Sequence, residues 1–420
     1  MKKPASEFLG TMYSILKISA QRRWRSLLSL LLAALMLATT LVPLTGQAQV
    51  LPQDQLDGQA WSEFGVQAEL MPDVTMAAGA LVTGDGRVLW SRNIDEHRAP
   101  ASITKIMTAI LAFEHLQAGQ ELTMPPMRLE PAESRAFLRE GDILTREQLI
   151  ESLLIVSGND AAQAIAQIVA DDIPSFVKLM NERAVELGMN DSHFHDASGL
   201  DFPDQYTTAR DLATLARFAM TKPEFREVVG SIETSFTTNR RHHDLHNTNI
   251  LLQSYNGATG IKTGRTTGAG FSVIVSAERN GLELYAIVLG TGADLTRFFE
   301  ARRLLDFGFT HYREKKLALE STVVGAAQVT NFPDKTVQVA VAQDVSLPVL
   351  DVAGTIDQHI EINTTRSPVR RGDELGFMTF TQRDRLIARV PLIATQEVND
   401  PFFLVQWYYN AVIAWRNRGQ

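Results

Sequence analysis

A serine and a lysine three residues apart stand at the start of an apolar stretch, and together they have the chemistry of a nucleophile and its base. Pro100 suits the entrance of a helix, and apolar residues then recur at helical spacing from Ile103 to Leu111. On such a helix Ser102 and Lys105 share one face. The helix dipole and burial both disfavour a protonated Lys105, which could then accept the proton of the Ser102 hydroxyl. The alternative is a chance spacing in which Ser102 only caps a helix.

A second polar motif, Ser157-Gly158-Asn159, lies between two apolar segments that read as helices. Gly158 is expected to let the chain turn sharply there and to expose the polar side chains beside it. The alternative is a solvent-facing helix–helix turn in which Asn159 or Asp160 serves as a cap.

A third motif, Lys262-Thr263-Gly264, precedes two apolar strands predicted at residues 270–277 and 282–289. The Asn-Gly between those strands is a strong hairpin signal, so the motif is predicted to lie on or beside an edge of a sheet. Gly264 would let a substrate backbone come close, while Lys262 and Thr263 offer a charge and a hydroxyl to a carboxylate. The alternative is a plain strand end.

The order of these three motifs resembles that of the penicillin-recognising serine enzymes. Over residues 70–310 the chain is similar to the serine-type D-Ala-D-Ala carboxypeptidases, the low-molecular-mass penicillin-binding proteins of peptidase family S11. The resemblance implies an α+β fold, a transpeptidase domain of the penicillin-binding-protein/β-lactamase type. In that fold a five-stranded antiparallel sheet adjoins a helical cluster, and the active site lies between them.

The resemblance also implies a role for each catalytic residue. Ser102 would attack the carbonyl between the two terminal D-alanines of a peptidoglycan stem peptide, and Lys105 would take its proton. Ser157 would relay a proton to the leaving group, and Asn159 would orient the substrate. β-Lactams, which mimic the dipeptide, would act as covalent inhibitors by trapping Ser102.

The implied substrate-binding residues belong to the third motif. Lys262 and Thr263 would hold the terminal carboxylate, with Gly264 beside them. The backbone N–H groups of Ser102 and Arg265 would form the oxyanion hole, where preorganised donors contribute most to acyl transfer. The resemblance implies no metal and no cofactor.

Other functions on the same fold stay open as alternatives. A D,D-endopeptidase or a β-lactamase would carry the same three motifs. Residues 201–204 do not resemble the loop with the deacylating glutamate of class A β-lactamases, so we expect slow turnover of β-lactams. A non-enzymatic wall-binding protein is disfavoured because it would be expected to have lost Ser102 or Lys105.

The composition excludes several classes of protein. The 420 residues are 45% hydrophobic and 21% charged, which suits a globular protein of more than one domain. The net charge of -8 argues against a nucleic-acid partner. Without cysteine there can be no disulfide, thiolate metal site or cysteine nucleophile. His242, His243 and His246 are predicted to form an exposed polar loop, since no H-E-x-x-H helix surrounds them.

The N-terminal region has the layout of a secretory signal. Basic residues precede an uncharged run at residues 26–50, which predicts a signal peptide at residues 1–48 and a polar linker at residues 49–70. The alternative is an uncleaved anchor, because the run approaches the minimum spanning length of about 17 residues. In both cases the rest of the chain is exported to the periplasm or cell-wall space, since the positive flank stays inside.

Residues 71–312 are predicted to form the serine D,D-peptidase domain. Strands at residues 77–82 and 88–90 would make a hairpin, and the helix entered at Ser102 would continue through residues 108–118. Further helices are predicted at residues 149–156, 161–169, 176–187 and 297–309.

The C-terminal part changes character. Residues 318–398 alternate polar and β-branched residues between turn signals, which predicts a small all-β domain similar to that of the same carboxypeptidases. Residues 401–420 are predicted to form an amphipathic helix in a membrane interface, bound peripherally to the outer face of the cytoplasmic membrane. Its polar face holds Gln406, Asn410 and Asn417. Its apolar face holds Phe403, Leu404, Trp407, Tyr408, Ala411, Val412 and Trp415. The alternative is a helix docked on the β-domain.

Overall fold

The computed structural model describes residues 70–130 and 133–416. The predicted signal segment at residues 1–48 lies outside the described residues, as does the linker at residues 49–70 apart from Leu70. The described part comprises an α+β domain followed by a β-domain and a terminal helix.

The strands of the α+β domain are β1 (Ala78–Thr83), β2 (Val88–Arg92), β3 (Glu121–Thr123), β4 (Ile143–Thr145), β5 (Glu233–Thr237), β6 (His242–His246), β7 (Ala258–Thr266), β8 (Gly270–Arg279) and β9 (Leu282–Thr291). Five of them form one antiparallel sheet, ordered β2-β1-β9-β8-β7. The remaining strands form two-stranded ribbons, β3 with β4 and β5 with β6. Strand β7, which carries the third motif, is therefore an edge strand, as the sequence predicted.

Both predicted hairpins are present in the sheet. The turn between β8 and β9 contains Asn280 and Gly281 with φ values of 53° and 80°, the positive values that a tight hairpin turn requires. The central residues of both strands are buried on alternate faces. Ile274 and Ile287 pack toward the helical cluster, while Val273 and Val288 pack on the opposite side. The sheet is thus covered on both faces, which explains why its strands read as continuous apolar runs.

The helices lie on both sides of this sheet. They are α1 (Lys105–His115), α2 (Arg146–Leu154), α3 (Asn159–Ala170), α4 (Ile173–Glu186), α5 (Ala209–Met220), α6 (Pro223–Gly230), α7 (Leu251–Ser254) and α8 (Asp294–His311). The prediction of a helix from Ser102 through residue 118 is wrong at both ends. Ser102 sits in a 3₁₀ turn, Ala101–Thr104, and the chain is extended again at Leu116 (φ −107°, ψ 141°). Apolar periodicity did not mark these ends, because burial continues beyond the helix on either side.

The histidine-rich segment forms strand β6, so the prediction of an exposed loop is wrong. His242 and His246 are exposed, but His243 is buried against the ring of Phe236, 5.1 Å between centroids. The alternation of exposed and buried residues is that of a half-buried strand paired with β5. Within the residues that the structure describes, no three histidines and carboxylates are grouped as a metal site would need.

The β-domain follows α8 directly. Its strands are β10 (Tyr312–Ala318), β11 (Val323–Gln328), β12 (Thr336–Val341), β13 (Val345–Leu350), β14 (Ile356–Ile362), β15 (Glu374–Gln382) and β16 (Arg385–Ala394). Five of them form a sheet ordered β11-β12-β16-β15-β14, and β10 pairs with β13. Aliphatic side chains such as Val339, Val349 and Leu392 fill the core between these sheets.

The terminal helix α9 (Phe403–Arg416) rests on the β-domain through one side. The ring of Tyr409 lies 5.3 Å from that of Phe332, and its hydroxyl donates a hydrogen bond to Asp334. Most of the large apolar side chains near this helix are exposed, namely Phe402, Phe403, Leu404, Val405, Trp407, Tyr408 and Trp415. Among the described residues, no helix has the length and apolar character needed to cross a membrane.

Candidate active site

The 3₁₀ turn that holds Ser102 is fixed by close backbone packing. Ala101 has a positive φ of 49°, an uncommon value for a residue other than glycine. Gly199 lies directly against this turn, where any Cβ would come 1.8 Å from the Ala101 carbonyl oxygen. The turn places Ser102 three residues before Lys105, the first residue of α1.

Lys105 is fully buried and makes three hydrogen bonds. Its Nζ donates to Ser102 Oγ at 2.9 Å, to Asn159 Oδ1 at 2.7 Å and to the Ser198 carbonyl oxygen at 2.7 Å. These three acceptors satisfy all three protons of an ammonium. If Lys105 loses one proton, Asn159 and Ser198 can retain the other two, and the lone pair is left facing the Ser102 hydroxyl. The arrangement therefore suits a base for Ser102.

The electrostatic surroundings set Lys105 for proton transfer near neutral pH. Burial is the largest cause and lowers the pKa of Lys105 from 10.5 to about 7. The negative charges of Asp196, Asp160 and Glu133 act in the opposite direction and hold that pKa up. A base whose pKa lies near the working pH is the most effective one.

The second motif turns in a way that the sequence did not predict. Ser157 has the positive φ, 63°, whereas Gly158 has φ −62° and ψ 121°, which any residue can adopt. Glycine is required at 158 for space, since a Cβ would lie 2.5 Å from Asp160 Oδ1 and 2.8 Å from the Ser152 carbonyl oxygen. The polar side chains are also buried rather than exposed, with Ser157 and Asn159 at 5% and 4% accessibility. Gly158 itself is the N-cap of α3, so neither Asn159 nor Asp160 takes that position.

Lys262 and Thr263 are consecutive residues of β7, and Lys262 pairs with Ile274, whose side chain packs toward the helical cluster. Lys262 is buried and its Nζ donates to the Thr263 carbonyl oxygen at 2.9 Å. The Thr263 hydroxyl is 2.7 Å from that of Thr248. Burial, followed by the positive charges of Lys105 and Arg297, lowers the pKa of Lys262 well below its ordinary value. An anion arriving here would counter that shift.

The outer edge of β7 meets the turn that carries Ser102. A Cβ on Gly264 would lie 3.2 Å from the Pro100 carbonyl oxygen and 3.1 Å from Ala101 Cβ, so the backbone of β7 approaches that turn closely. The neighbouring Arg265 is exposed, and its guanidinium lies 5.0 Å from the centre of the Phe271 ring.

Sequence reasoning missed several residues that support the site. Arg297 on α8 donates to the carbonyl oxygens of Gly264 at 2.9 Å and Ser272 at 3.2 Å. The Asp196 carboxylate accepts hydrogen bonds from the Ser198 hydroxyl and amide and thereby fixes the segment whose carbonyl holds Lys105. A local pattern carries no signal for either residue, because tertiary packing alone brings both to the site.

The structure thus brings the predicted site residues into one region. Ser102, Lys105 and Asn159 are joined by hydrogen bonds, and Ser157 is buried two residues before Asn159. Lys262 is close enough to Lys105 for the charge of Lys105 to influence its pKa.

Comparison with known proteins identifies the family. The family model described as "D-alanyl-D-alanine carboxypeptidase" matches residues 67–293, more than half of the chain. The chain belongs to this family, peptidase S11. A second model, described as "Penicillin-binding protein 5, C-terminal domain", matches residues 312–400. The three motifs of the carboxypeptidase all fall within the first match.

Curated relatives support the same assignment. The chain is 32% identical to D-alanyl-D-alanine carboxypeptidase DacC of Escherichia coli over 357 residues, covering 79% of this chain and 86% of the relative. It is 28% identical to D-alanyl-D-alanine carboxypeptidase DacF of Bacillus subtilis over 358 residues, covering 83% and 90%.

Solved structures agree with this carboxypeptidase fold. The D-alanyl-D-alanine carboxypeptidase DacD from Francisella tularensis is 25% identical with a TM-score of 0.61, covering 79% of this chain and 96% of that one. The Streptomyces K15 DD-transpeptidase is 30% identical with a TM-score of 0.53, covering 57% and 98%. The predicted α+β fold with its C-terminal β-domain and the predicted class, a serine carboxypeptidase of the penicillin-binding type, are both confirmed.

Proposed function

We propose that Ser102 is the nucleophile that removes the terminal D-alanine from peptidoglycan pentapeptides through an acyl-enzyme. The observation that carries the proposal is the hydrogen bond from Lys105 Nζ to Ser102 Oγ, made by a fully buried lysine whose pKa is lowered to about 7. A lysine in this state is half neutral near pH 7 and can accept the hydroxyl proton as the bond to carbon forms.

The reaction proceeds in two steps. Ser102 Oγ attacks the carbonyl carbon between the two D-alanines while its proton passes to Lys105. The backbone N–H groups of Ser102 and Arg265 stabilise the oxyanion, and Ser157 relays the proton from Lys105 to the leaving nitrogen. The bond to the terminal D-alanine breaks, and Asn159 keeps the remaining peptide oriented. Water then attacks the ester carbon and passes a proton to Lys105. The bond from that carbon to Ser102 Oγ breaks, the shortened peptide leaves, and Lys105 returns the proton to Ser102 Oγ.

The third motif binds the terminal carboxylate in this proposal. Lys262 and Thr263 provide an ammonium and a hydroxyl, and Gly264 leaves room for the substrate backbone along the edge of β7. Because Lys262 is buried beside Arg297 and Lys105, it gains an anionic partner only when the substrate arrives. β-Lactams carry an equivalent carboxylate and would react with Ser102 in the same way.

We expect the adduct with a β-lactam to turn over slowly. Asp201, in the loop that follows the second motif, accepts hydrogen bonds from the Thr266 hydroxyl at 2.6 Å and the Gly268 amide at 2.9 Å. Its carboxylate is therefore engaged by the turn between β7 and β8 and is not free to activate water.

The test is the mass of the intact protein after incubation with benzylpenicillin, for the wild type and for Ser102→Ala. We expect one stable adduct on the wild type only, and then D-alanine release from a pentapeptide in preference to cleavage of a cross-linked dimer. An adduct on Ser102→Ala would contradict the nucleophile assignment. Rapid loss of the adduct would favour a β-lactamase, and preference for the dimer would favour an endopeptidase.

We further propose that the carboxypeptidase acts outside the cytoplasm, after export directed by its N-terminal segment, with α9 holding it to the membrane surface. The exposed aromatic side chains Trp407, Tyr408 and Trp415 support this, because such rings favour the membrane–water interface.

The membrane proposal is tested by sedimenting the mature protein with anionic vesicles, with and without residues 401–420. We expect the shortened protein to remain in the supernatant and to react with benzylpenicillin at an unchanged rate. Vesicle binding that survives the deletion would overturn the role of α9 and would favour the alternative in which the N-terminal segment is retained as an anchor.

A further inference from the structure

A carboxylate from the loop between β3 and β4 reaches the second motif. Glu133 Oε2 accepts a hydrogen bond from Asn159 Nδ2. The other end of the same amide, Asn159 Oδ1, accepts the bond from Lys105 at 2.7 Å. One asparagine side chain therefore connects Glu133 to the proposed base.

Hydrogen bonds made by its backbone hold the loop segment at residues 133–138 against the second motif. The Ser134 carbonyl oxygen accepts a hydrogen bond from the backbone N–H of Asn159 at 2.8 Å. The buried Asp160 carboxylate accepts from the amides of Ala136 and Leu138, both at 3.0 Å. The Glu133 side chain is also held within the loop, since its Oε1 accepts a hydrogen bond from the backbone N–H of Glu130 at 2.9 Å. The contact between Glu133 and Asn159 thus belongs to a docked segment.

The contact determines which end of the Asn159 amide faces Lys105. An ionised carboxylate can only accept hydrogen bonds, so it selects Nδ2 and leaves Oδ1 for Lys105. If the amide turned over, its N–H group would compete with the Ser102 hydroxyl for the lone pair of neutral Lys105. A fixed amide keeps that lone pair available to Ser102.

Glu133 also adds a negative charge near the base. The charged groups that act on Lys105 are the carboxylates of Asp196, Asp160 and Glu133, and Lys262 lies on the opposite wall. Asp160 accepts hydrogen bonds from backbone amides of the loop between β3 and β4, and Asp196 accepts from an amide of its own loop. Of the three carboxylates, Glu133 is the one that accepts a hydrogen bond from the Asn159 side chain, so it acts on Lys105 through its charge and through the orientation of that amide.

We propose that Glu133 is a positioning residue for the reaction, which fixes the amide of Asn159 toward Lys105 and balances the charge of that lysine. The proposal rests on the proposed roles of Ser102 and Lys105. Its two parts are separable, because glutamine at 133 retains an acceptor for Asn159 Nδ2 but loses the charge, whereas alanine loses both.

The test is the rate of acylation by benzylpenicillin across pH for the wild type, Glu133→Gln and Glu133→Ala. Glu140→Gln is the matched control, since Glu140 is an exposed carboxylate of the same loop. We expect Glu133→Gln to retain most of the plateau rate while the acid limb of the profile moves to lower pH, because the pKa of Lys105 falls further without the opposing charge. We expect Glu133→Ala to lose about tenfold to a hundredfold of the plateau rate. Glu140→Gln should match the wild type.

The outcomes separate this inference from the proposed function. If both variants of Glu133 kept the plateau rate and the acid limb of the wild type, the inference would be overturned while the nucleophile assignment stayed intact. Equal losses in both variants with an unmoved acid limb would also overturn it, since a merely structural side chain behaves in that way. A wild type that forms no adduct would overturn the proposed function together with the inference.

Discussion

The two walls of the active site each bury a lysine, but their surroundings are opposite in charge. Lys105, on the helical wall, is surrounded by the carboxylates of Asp196, Asp160 and Glu133. Lys262, on the sheet wall, lies near the cations Lys105 and Arg297. Burial lowers the pKa of both, and the neighbours then oppose the shift in one and reinforce it in the other. The same residue type is thus prepared for two tasks.

The opposite charges around the two lysines fit the two roles proposed for them. In the proposed mechanism Lys105 takes a proton and returns it, which requires neutral and protonated forms of similar free energy. In the same proposal Lys262 binds the carboxylate of the substrate, and its cationic neighbours make an incoming carboxylate more favourable there. Binding of that carboxylate would raise the pKa of Lys262 and hold it in its charged form.

The largest expected effect comes from Lys105→Met, which keeps the bulk of the side chain and removes the base. Acylation by benzylpenicillin should slow by about 10²- to 10⁴-fold, the usual contribution of general base catalysis. Stopped-flow or mass measurements of adduct formation would show this, with the melting temperature as a check on folding. A variant that acylates at the wild-type rate would contradict the contrast drawn between Lys105 and Lys262, because Lys105 would then have no role as base.

A smaller and more selective effect is expected from Lys262→Met. The kcat/KM for a peptide with a free terminal carboxylate should fall about a hundredfold, as expected when one partner of a buried ion pair is removed. The same peptide with a terminal amide should react slowly with both proteins and distinguish them little. Equal losses on both peptides would contradict the role of Lys262 in carboxylate binding.

The smallest effect is expected from Arg297→Gln, which weakens the support of β7. The loss of hydrogen bonds to Gly264 and Ser272 should lower kcat/KM by about tenfold. Because the charge of Arg297 lowers the pKa of Lys262, its removal should move the alkaline limb for carboxylate substrates to higher pH. An alkaline limb that stays in place or moves to lower pH would show that Arg297 does not tune Lys262.

The pairing of Ser102 with Lys105 and the edge position of Lys262 were predictable from sequence, because each motif is short and its spacing is local. Ser102 and Lys105 are three residues apart, which places them one turn apart in a 3₁₀ helix or an α-helix. The error in the helix boundary therefore did not affect their pairing. The edge position of Lys262 followed from the Asn-Gly hairpin beyond it. Resemblance to a known family then supplied the way in which the motifs meet.

The supporting residues were not predictable in the same way. Arg297 is far along the chain from Gly264, and Glu133 lies in a loop that is separated from Asn159 by β4 and α2. Their contacts depend on tertiary packing, for which the local pattern holds no information. The positive φ at Ser157 shows the same limit, since the sequence offers Gly158 as the obvious flexible residue and the fold uses that glycine for space.

The pH dependence of wild-type acylation by benzylpenicillin decides whether Lys105 is the base for Ser102. We expect the rate constant to rise with pH through a midpoint near the pKa of Lys105, about 7, because only the neutral lysine can accept the Ser102 proton. A rate constant that does not change through neutral pH, or that rises only near 10.5, the ordinary pKa of lysine, would contradict the assignment of Lys105 as the base.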